Sequence, residues 1–175
     1  MALGVMGVCS VEAQSPPRGE YEVKAAYLFS FARFVEWPQR PARDDAAFTI
    51  CILGTDQFGA VLDRTIAGAT IRGLKVGARR VDAVAAAAGC HIVFISGSEE
   101  RQLATIVPAL IRAGALTVSD MPHFTDRGGM IQFVSAASKV RFEINPTSTR
   151  EAGLTMSSEL LRVASTIRYG TPVVQ

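Results

Sequence analysis

The feature that most constrains the fold is the alternation of strand-like and helix-like segments between residues 47 and 120. Residues 91–96, HIVFIS, form a run rich in apolar residues, which is typical of a central parallel strand buried on both faces. Strands that alternate with helices predict a parallel sheet with helices on both sides. The strands predicted for this part of the chain are residues 47–53, 74–81, 91–96 and 115–120.

The pattern changes in the C-terminal part of the chain. Residues 129–135 and 139–145 are both strand-like, and the short link between them predicts an antiparallel hairpin. Asn145 and Pro146 are typical of the first residues of a helix, and residues 157–168 have the spacing of a last amphipathic helix. The predicted fold class is therefore a three-layer α/β sandwich, whose mostly parallel sheet has about six strands and ends in this hairpin.

A ring-rich segment, residues 20–37, predicts a helix with one broad apolar face. Its charged residues argue against a membrane span, so most of its rings are expected in the core. Phe29 lies on the polar side of the helix, and Trp37 lies at its end. Because interfaces favour aromatic anchors, we predict that Phe29 and Trp37 help to form a partner or dimer surface. The alternative is that neighbouring loops bury both rings.

Residues 1–15 are interpreted as a signal peptide remnant or a disordered tail. They are mostly apolar and fit signal-peptidase cleavage after Ala13, but they lack a positively charged start. Residues 20–170 are interpreted as a single domain, because their length suits one domain and no linker divides them. After export, Cys51 and Cys90 would either form a disulfide or remain two buried thiols.

The sequence carries no recognisable motif for catalysis, a cofactor or a metal. Residues 54–59, GTDQFG, follow a predicted strand, but they match neither glycine-rich phosphate-binding pattern and are interpreted as a turn. His91 and His123 have no second ligand at metal-binding spacing. The net charge is only +2 and the basic residues are scattered, so no nucleic-acid surface is predicted.

One polar cluster is open to two interpretations. Arg127 lies in the turn before the hairpin, while Arg141, Glu143 and Asn145 alternate along its second strand and so share one face. Either arginine would suit bidentate contact with an anion such as a carboxylate. The alternative is a solvated sheet face with local ion pairs.

Six segments together resemble the YfiR-like family over residues 21–166. They are YEVKAAYLFSFARFVEWP, CILG, CHIVFIS, LTVSD, GGMIQF and VRFEINPTSTREAGLTMSSELLRVA. The resemblance implies a Rossmann-like α/β sandwich and a periplasmic, non-catalytic regulator. It also implies a disulfide between Cys51 and Cys90, whereas the family's second disulfide is not expected because no cysteine follows Cys90.

The partners are also implied by the resemblance. Such a regulator binds and inhibits the periplasmic sensor domain of an inner-membrane diguanylate cyclase, and so controls cyclic di-GMP signalling and biofilm formation. An outer-membrane lipoprotein sequesters it, and it forms a homodimer. The second hypothesis is a periplasmic small-molecule sensor that serves another receptor, such as a histidine kinase, with a pocket near Arg127 and Arg141.

Overall fold

The computed structural model describes residues 19–37, 47–136 and 139–169. The predicted signal segment lies outside these residues. Two short 3-10 helices lie at Val84–Ala87 and Gly97–Gln102. The other helices and strands are, in chain order, α1 (Glu20–Phe34), β1 (Val35–Glu36), β2 (Ala47–Leu53), α2 (Ala60–Ile66), β3 (Thr70–Ile71), β4 (Leu74–Val81), β5 (Ile92–Ile95), α3 (Leu103–Arg112), β6 (Leu116–Ser119), β7 (Ile131–Ala136), β8 (Lys139–Ile144), α4 (Pro146–Glu151), β9 (Thr155–Met156), α5 (Ser158–Val163) and β10 (Thr166–Ile167).

Eight strands form one sheet in the order β10-β8-β7-β6-β5-β2-β4-β3. The central strands from β7 to β4 are parallel, and β8 pairs antiparallel with β7 as the predicted hairpin. The short strands β10 and β3 lie at the two edges, while β1 and β9 form a separate antiparallel pair. The predicted fold class is confirmed, and the sheet has more strands than the sequence pattern indicated.

The N-terminal helix is shorter than predicted. It ends at Phe34 because the next two residues, Val35 and Glu36, pair with β9. The N–H of Ser157 also donates to the carbonyl of Phe34 at 2.9 Å. This pairing joins segments more than a hundred residues apart, so local periodicity carries no signal for it.

The C-terminal helix is also shorter than the prediction for residues 157–168. It ends at Val163, after which the chain joins the sheet as β10. The N–H of Ser165 donates to the carbonyl of Phe142 at 2.9 Å. The β-branched Thr166 then pairs with β8, which suits its preference for strands.

The rings of α1 pack on the hairpin formed by β7 and β8. Phe31 is fully buried, and its ring centroid lies 5.1 Å from that of Phe142 and 5.9 Å from that of Phe133. Tyr27 contacts Phe142 at 5.2 Å in an edge-on arrangement. Such pairs contribute about 0.5–1.5 kcal/mol each beyond the area they bury. Most of the ring-rich face of α1 therefore belongs to the core. Among the described residues, no helix is both long enough and apolar enough to cross a membrane.

Cys51 and Cys90 form a disulfide, as the family resemblance implies, with their Cα atoms 5.9 Å apart. Cys51 lies in β2, and Cys90 lies just before β5, the neighbouring strand. Both residues are buried. The bridge thus closes the loop of chain that runs from β2 through β4 to the start of β5. The two cysteines are separated by 39 residues in sequence.

Replacing both cysteines, Cys51→Ala with Cys90→Ala, should lower the free energy of unfolding by about 3–4 kcal/mol, because the unfolded chain regains the freedom that the bridge removes. Urea denaturation under oxidising conditions measures this change. Reductant should have no further effect on the variant. Equal stability of the wild type and the variant would show that the bridge is not formed in the protein.

Candidate functional site

A small surface cleft of about 140 Å³ lies beside the hairpin, near β10. Three elements form it: the loop between β6 and β7, the hairpin itself, and the residue that follows β10. Its lining residues are Pro122, His123, Asp126, Gln132, Glu143 and Arg168. Of the residues that the sequence analysis singled out as anion-binding candidates, only Glu143 lines it.

The loop between β6 and β7 is held in place by close packing. Phe124 is fully buried, and a Cβ atom added to Gly129 would overlap its ring. Only glycine therefore allows this approach. The loop is also bonded to the hairpin, because the N–H of Thr125 donates to Oε1 of Gln132 at 3.3 Å. These contacts place His123 and Asp126 at the rim of the cleft.

Charge pairing organises the side chains that line the cleft. Arg168 donates to both carboxylate oxygens of Glu143, with distances of 2.7 Å from Nε and 3.3 Å from Nη2. Its Nη1 lies 3.8 Å from Oδ1 of Asp126, and the other oxygen of Asp126 lies 3.2 Å from Nδ1 of His123. The hydrogen bonds to Glu143, followed by the charges of Glu143 and Asp126, raise the pKa of Arg168. With two carboxylates for one guanidinium, the cleft favours a cationic or hydrogen-bond-donating ligand over a simple anion.

The other anion-binding candidates lie elsewhere. Arg127 pairs with Glu100 through Nη1 at 3.2 Å. Arg141 is exposed on β8, where it lies opposite Val134 of β7. Asn145 is fully buried and caps α4, since its side chain accepts from Thr147 N and Ser148 N. The Arg127–Glu100 pair and the Arg168–Glu143 pair are ion pairs of the local kind that the alternative interpretation predicts.

Phe29 and Trp37, the predicted partner-binding rings, are both half-buried and pack against the core. The indole N–H of Trp37 donates to the carbonyl of His91 at 3.1 Å. Its ring meets that of Phe48 edge-on at 5.1 Å. Part of each ring thus remains available at the surface, and their role in partner binding stays a prediction.

A second polar cluster fixes the start of α1 at the end of β6. The buried ammonium of Lys24 lies 2.6 Å from Oδ2 of Asp120 and 2.7 Å from Oε1 of Glu20. The hydroxyl of Tyr21 donates to the same Asp120 oxygen at 2.9 Å. Burial of Tyr21, followed by the negative charge of Asp120, raises the pKa of the phenol well above its usual value. This cluster of Glu20, Tyr21, Lys24 and Asp120, called the α1 clamp, has a structural role. Each of its charged groups meets an opposite charge or a hydrogen-bond donor.

Within residues 19–37, 47–136 and 139–169, no group of three His, Cys, Asp or Glu side chains is placed to hold a metal ion. His91 stacks on Phe48, with ring centroids 4.4 Å apart, and its Nδ1 accepts from the N–H of Thr49 at 3.1 Å. These two contacts fix the His91 ring against its neighbours at the start of β5.

Comparison with known families matches residues 21–165 to proteins described as YfiR/HmsC-like. The match covers most of the chain and omits, of the described helices and strands, only the first residue of α1 and the edge strand β10. The chain belongs to the YfiR/HmsC-like family.

Two solved structures share the fold. A conserved domain protein from Vibrio cholerae aligns with a TM-score of 0.60 and 11% identity, over 85% of this chain and 60% of that one. The ABC domain from Streptococcus pneumonia, solved in complex with L-Trp, aligns with a TM-score of 0.50 and 14% identity, over 69% of this chain and 55% of that one. The chain thus spans somewhat more than half of each. At these identities, the likeness concerns the fold alone.

Sequence reasoning missed most of the cleft of this YfiR/HmsC-like chain. Arg168 was assigned to a helix, and the residues that it meets, Asp126 and Glu143, lie 42 and 25 positions before it. The signal that was present is the β-branched pair Thr166 and Ile167, which favours a strand over a helix end.

Replacing Tyr21 by Phe should make the protein less sensitive to alkali. In the unfolded chain, a tyrosine ionises near pH 10, whereas folding keeps Tyr21 protonated. The unfolded state then binds fewer protons above that pH, so wild-type stability falls as the pH rises. Urea unfolding of both proteins from pH 8 to pH 11 should show a shallower loss for Tyr21→Phe. Tyr169→Phe, at a residue that is 75% exposed, is the control and should follow the wild type. If the free energy of unfolding of Tyr21→Phe fell with pH as steeply as that of the wild type, the burial of this phenol would be contradicted.

Proposed function

We propose that this protein is a periplasmic regulator that binds the periplasmic sensor domain of an inner-membrane diguanylate cyclase and inhibits the enzyme. Its output is then the level of cyclic di-GMP and, through it, biofilm formation. The observation that carries this proposal is the YfiR/HmsC-like match over residues 21–165. An outer-membrane lipoprotein that sequesters the regulator relieves the inhibition.

The physical features support a protein that works through its surface. The polar side chains of the cleft and of the α1 clamp are engaged in ion pairs and hydrogen bonds with one another. The disulfide between Cys51 and Cys90 is suited to an oxidising compartment outside the cytoplasm. An inhibitor of this kind needs a rigid, shaped surface, which the packed sheet and the bridge supply.

For the contact with the cyclase, we propose the surface around Phe29 and Trp37. Both rings are fixed on one side by core packing and are open on the other. A half-buried aromatic ring loses little conformational freedom on binding, which is one reason that such rings become hot spots.

The test uses a purified cyclase that carries a periplasmic domain, from the same organism, reconstituted in membranes. Added wild-type protein should reduce conversion of GTP to cyclic di-GMP and should bind the reconstituted enzyme. Phe29→Ala and Trp37→Ala should raise the half-inhibitory concentration by about tenfold or more, whereas Val23→Ala, at an exposed position of the same helix, should not. Thermal melting checks that each variant is folded.

Two negative results are distinguishable in this assay. If the wild type neither binds nor inhibits any such cyclase, the proposed function is wrong. If the wild type inhibits and both ring variants inhibit equally well, the function stands and the surface at Phe29 and Trp37 is wrong.

A second candidate function is a periplasmic sensor of a small molecule, which serves another receptor such as a histidine kinase. The cleft around Glu143 and Arg168 favours it, because its paired charges would suit a ligand that carries both an amino group and an acidic group. The predicted arginines Arg127 and Arg141 do not line this cleft. A ligand and a partner protein are compatible, since ligand binding would adjust partner affinity.

Thermal shift with amino acids and nucleotides tests the sensor function. A ligand present at a hundred times its dissociation constant should stabilise the protein by about 2.7 kcal/mol. Glu143→Gln should abolish that shift, while Arg141→Gln, outside the cleft, should retain it. The absence of any shift across both classes of compound would count against a sensor, and a shift that Glu143→Gln leaves unchanged would place the ligand elsewhere.

A further inference from the structure

The hairpin between β3 and β4 carries an arginine at a position that strains its backbone. The link between the two strands consists of Arg72 and Gly73, because Ile71 and Leu74 form the last pair of the ladder. Both link residues have a positive φ, of 51° and 83°, as a type I′ turn requires. Glycine adopts this conformation freely and asparagine tolerates it, whereas a long side chain adopts it at a cost. Asn-Gly is therefore the pair that this turn favours, and the chain has Arg-Gly instead.

The side chain of Arg72 is aimed at the neighbouring strand β1. Its Nη2 donates to the carbonyl of Val35 at 3.2 Å, although the residue is exposed as a whole. A guanidinium has five N–H donors, and this bond uses one of them. Residues in a strained backbone conformation cluster at functional sites, where the strain is kept for what the side chain does.

Trp37, one of the rings proposed for partner binding, lies at the same end of the sheet. It follows Val35 by two residues, and its ring meets that of Phe48 edge-on at 5.1 Å. Phe48 of β2 pairs with Val76 of β4, just beyond the hairpin. The half-buried indole and the Arg72 guanidinium therefore border the same corner of the molecule. Tryptophan and arginine are the residue types most enriched at binding hot spots.

The other charges of this corner are mainly positive. Arg64, in the last turn of α2, and Lys75, the second residue of β4, are both exposed. Asp63 does not neutralise Arg64, because its carboxylate is bound by Arg80 at 2.7 Å. Glu36 contributes one exposed carboxylate. With the turn arginine, three exposed cations thus stand against one acid, which favours a negatively charged partner.

We propose that Arg72 binds a carboxylate of the cyclase sensor domain, in a bidentate pair beside the indole of Trp37. Arg64 and Lys75 attract the acidic segment of the sensor domain that carries this carboxylate. A guanidinium suits this task because its planar fork matches a carboxylate. The inference rests on the proposed function, and it gives the chemistry of the partner at the surface proposed there.

The first test is inhibition of the reconstituted cyclase by Arg72→Asn. This variant removes the cation and supplies the residue that the turn favours. It should raise the half-inhibitory concentration by about tenfold or more, while its melting temperature should be no lower than that of the wild type. Such a result separates partner binding from a structural role, because loss of a structural arginine lowers the melting temperature. Raising the ionic strength should also weaken the wild type more than the variant.

The matched control is Arg101→Gln, which removes an exposed arginine from the 3-10 helix at Gly97–Gln102. It should inhibit like the wild type and show the same dependence on ionic strength. Its loss of one positive charge equals that of Arg72→Asn, so the comparison distinguishes the position of the charge from the net charge of the protein.

The second test identifies the group that Arg72 meets. Arg72→Lys keeps the charge and places an amine at this position. A water-soluble carbodiimide joins a carboxylate to an adjacent amine as an amide and takes up the water that is lost. Mass spectrometry should find residue 72 of this variant linked to an Asp or Glu of the sensor domain. Arg101→Lys, treated in the same way, should give no link at residue 101.

The negative results are distinguishable. A wild type that neither binds nor inhibits the cyclase overturns the proposed function and this inference with it. Inhibition that Arg72→Asn retains in full overturns this inference alone. So does a melting temperature of Arg72→Asn well below that of the wild type, which would make the arginine structural. The absence of a link at residue 72, at concentrations where Arg72→Lys inhibits, likewise contradicts the carboxylate contact.

Discussion

The position of α1 across the sheet is the constraint on which the rest of the structure depends. Near the start of the helix, the buried ammonium of Lys24 is bound by Asp120 and Glu20. A buried charge without partners is costly, so these pairs allow only one placement of the helix start. Farther along, Phe31 and Tyr27 pack on the hairpin. One helix thus joins the end of β6 to β7 and β8, and it holds together the elements that line the cleft.

The fold class could be predicted from the sequence because its signals are local. The apolar run at residues 91–96 marks a buried strand by its own composition, and the strand pair at residues 129–135 and 139–145 is joined by a short link. The short strands were missed for the opposite reason. Val35 is a strand residue only because β9 lies beside it, and such a partner is invisible to a pattern read along one segment.

The candidate site was harder to predict than the fold. Glu143 and Asn145 alternate along one strand and looked equivalent, but the structure separates them. Asn145 is buried and is used to cap α4, whereas Glu143 lines a cleft. The partner of Glu143 is Arg168, from a segment whose strand forms only beside β8. Residue types and alternation thus drew attention to Glu143 alone among the residues that line the cleft. The other lining residues are brought beside it by tertiary contacts, which the sequence pattern does not show.

The ion pair between Arg168 and Glu143 links the last strand to the cleft. The guanidinium of Arg168 holds Glu143 in the cleft, and its backbone directly follows β10, which pairs with β8. A ligand whose amino group took over Glu143 would release the guanidinium from this contact. A single ion pair therefore suffices to connect the cleft to the end of the sheet, without any rearrangement of the core.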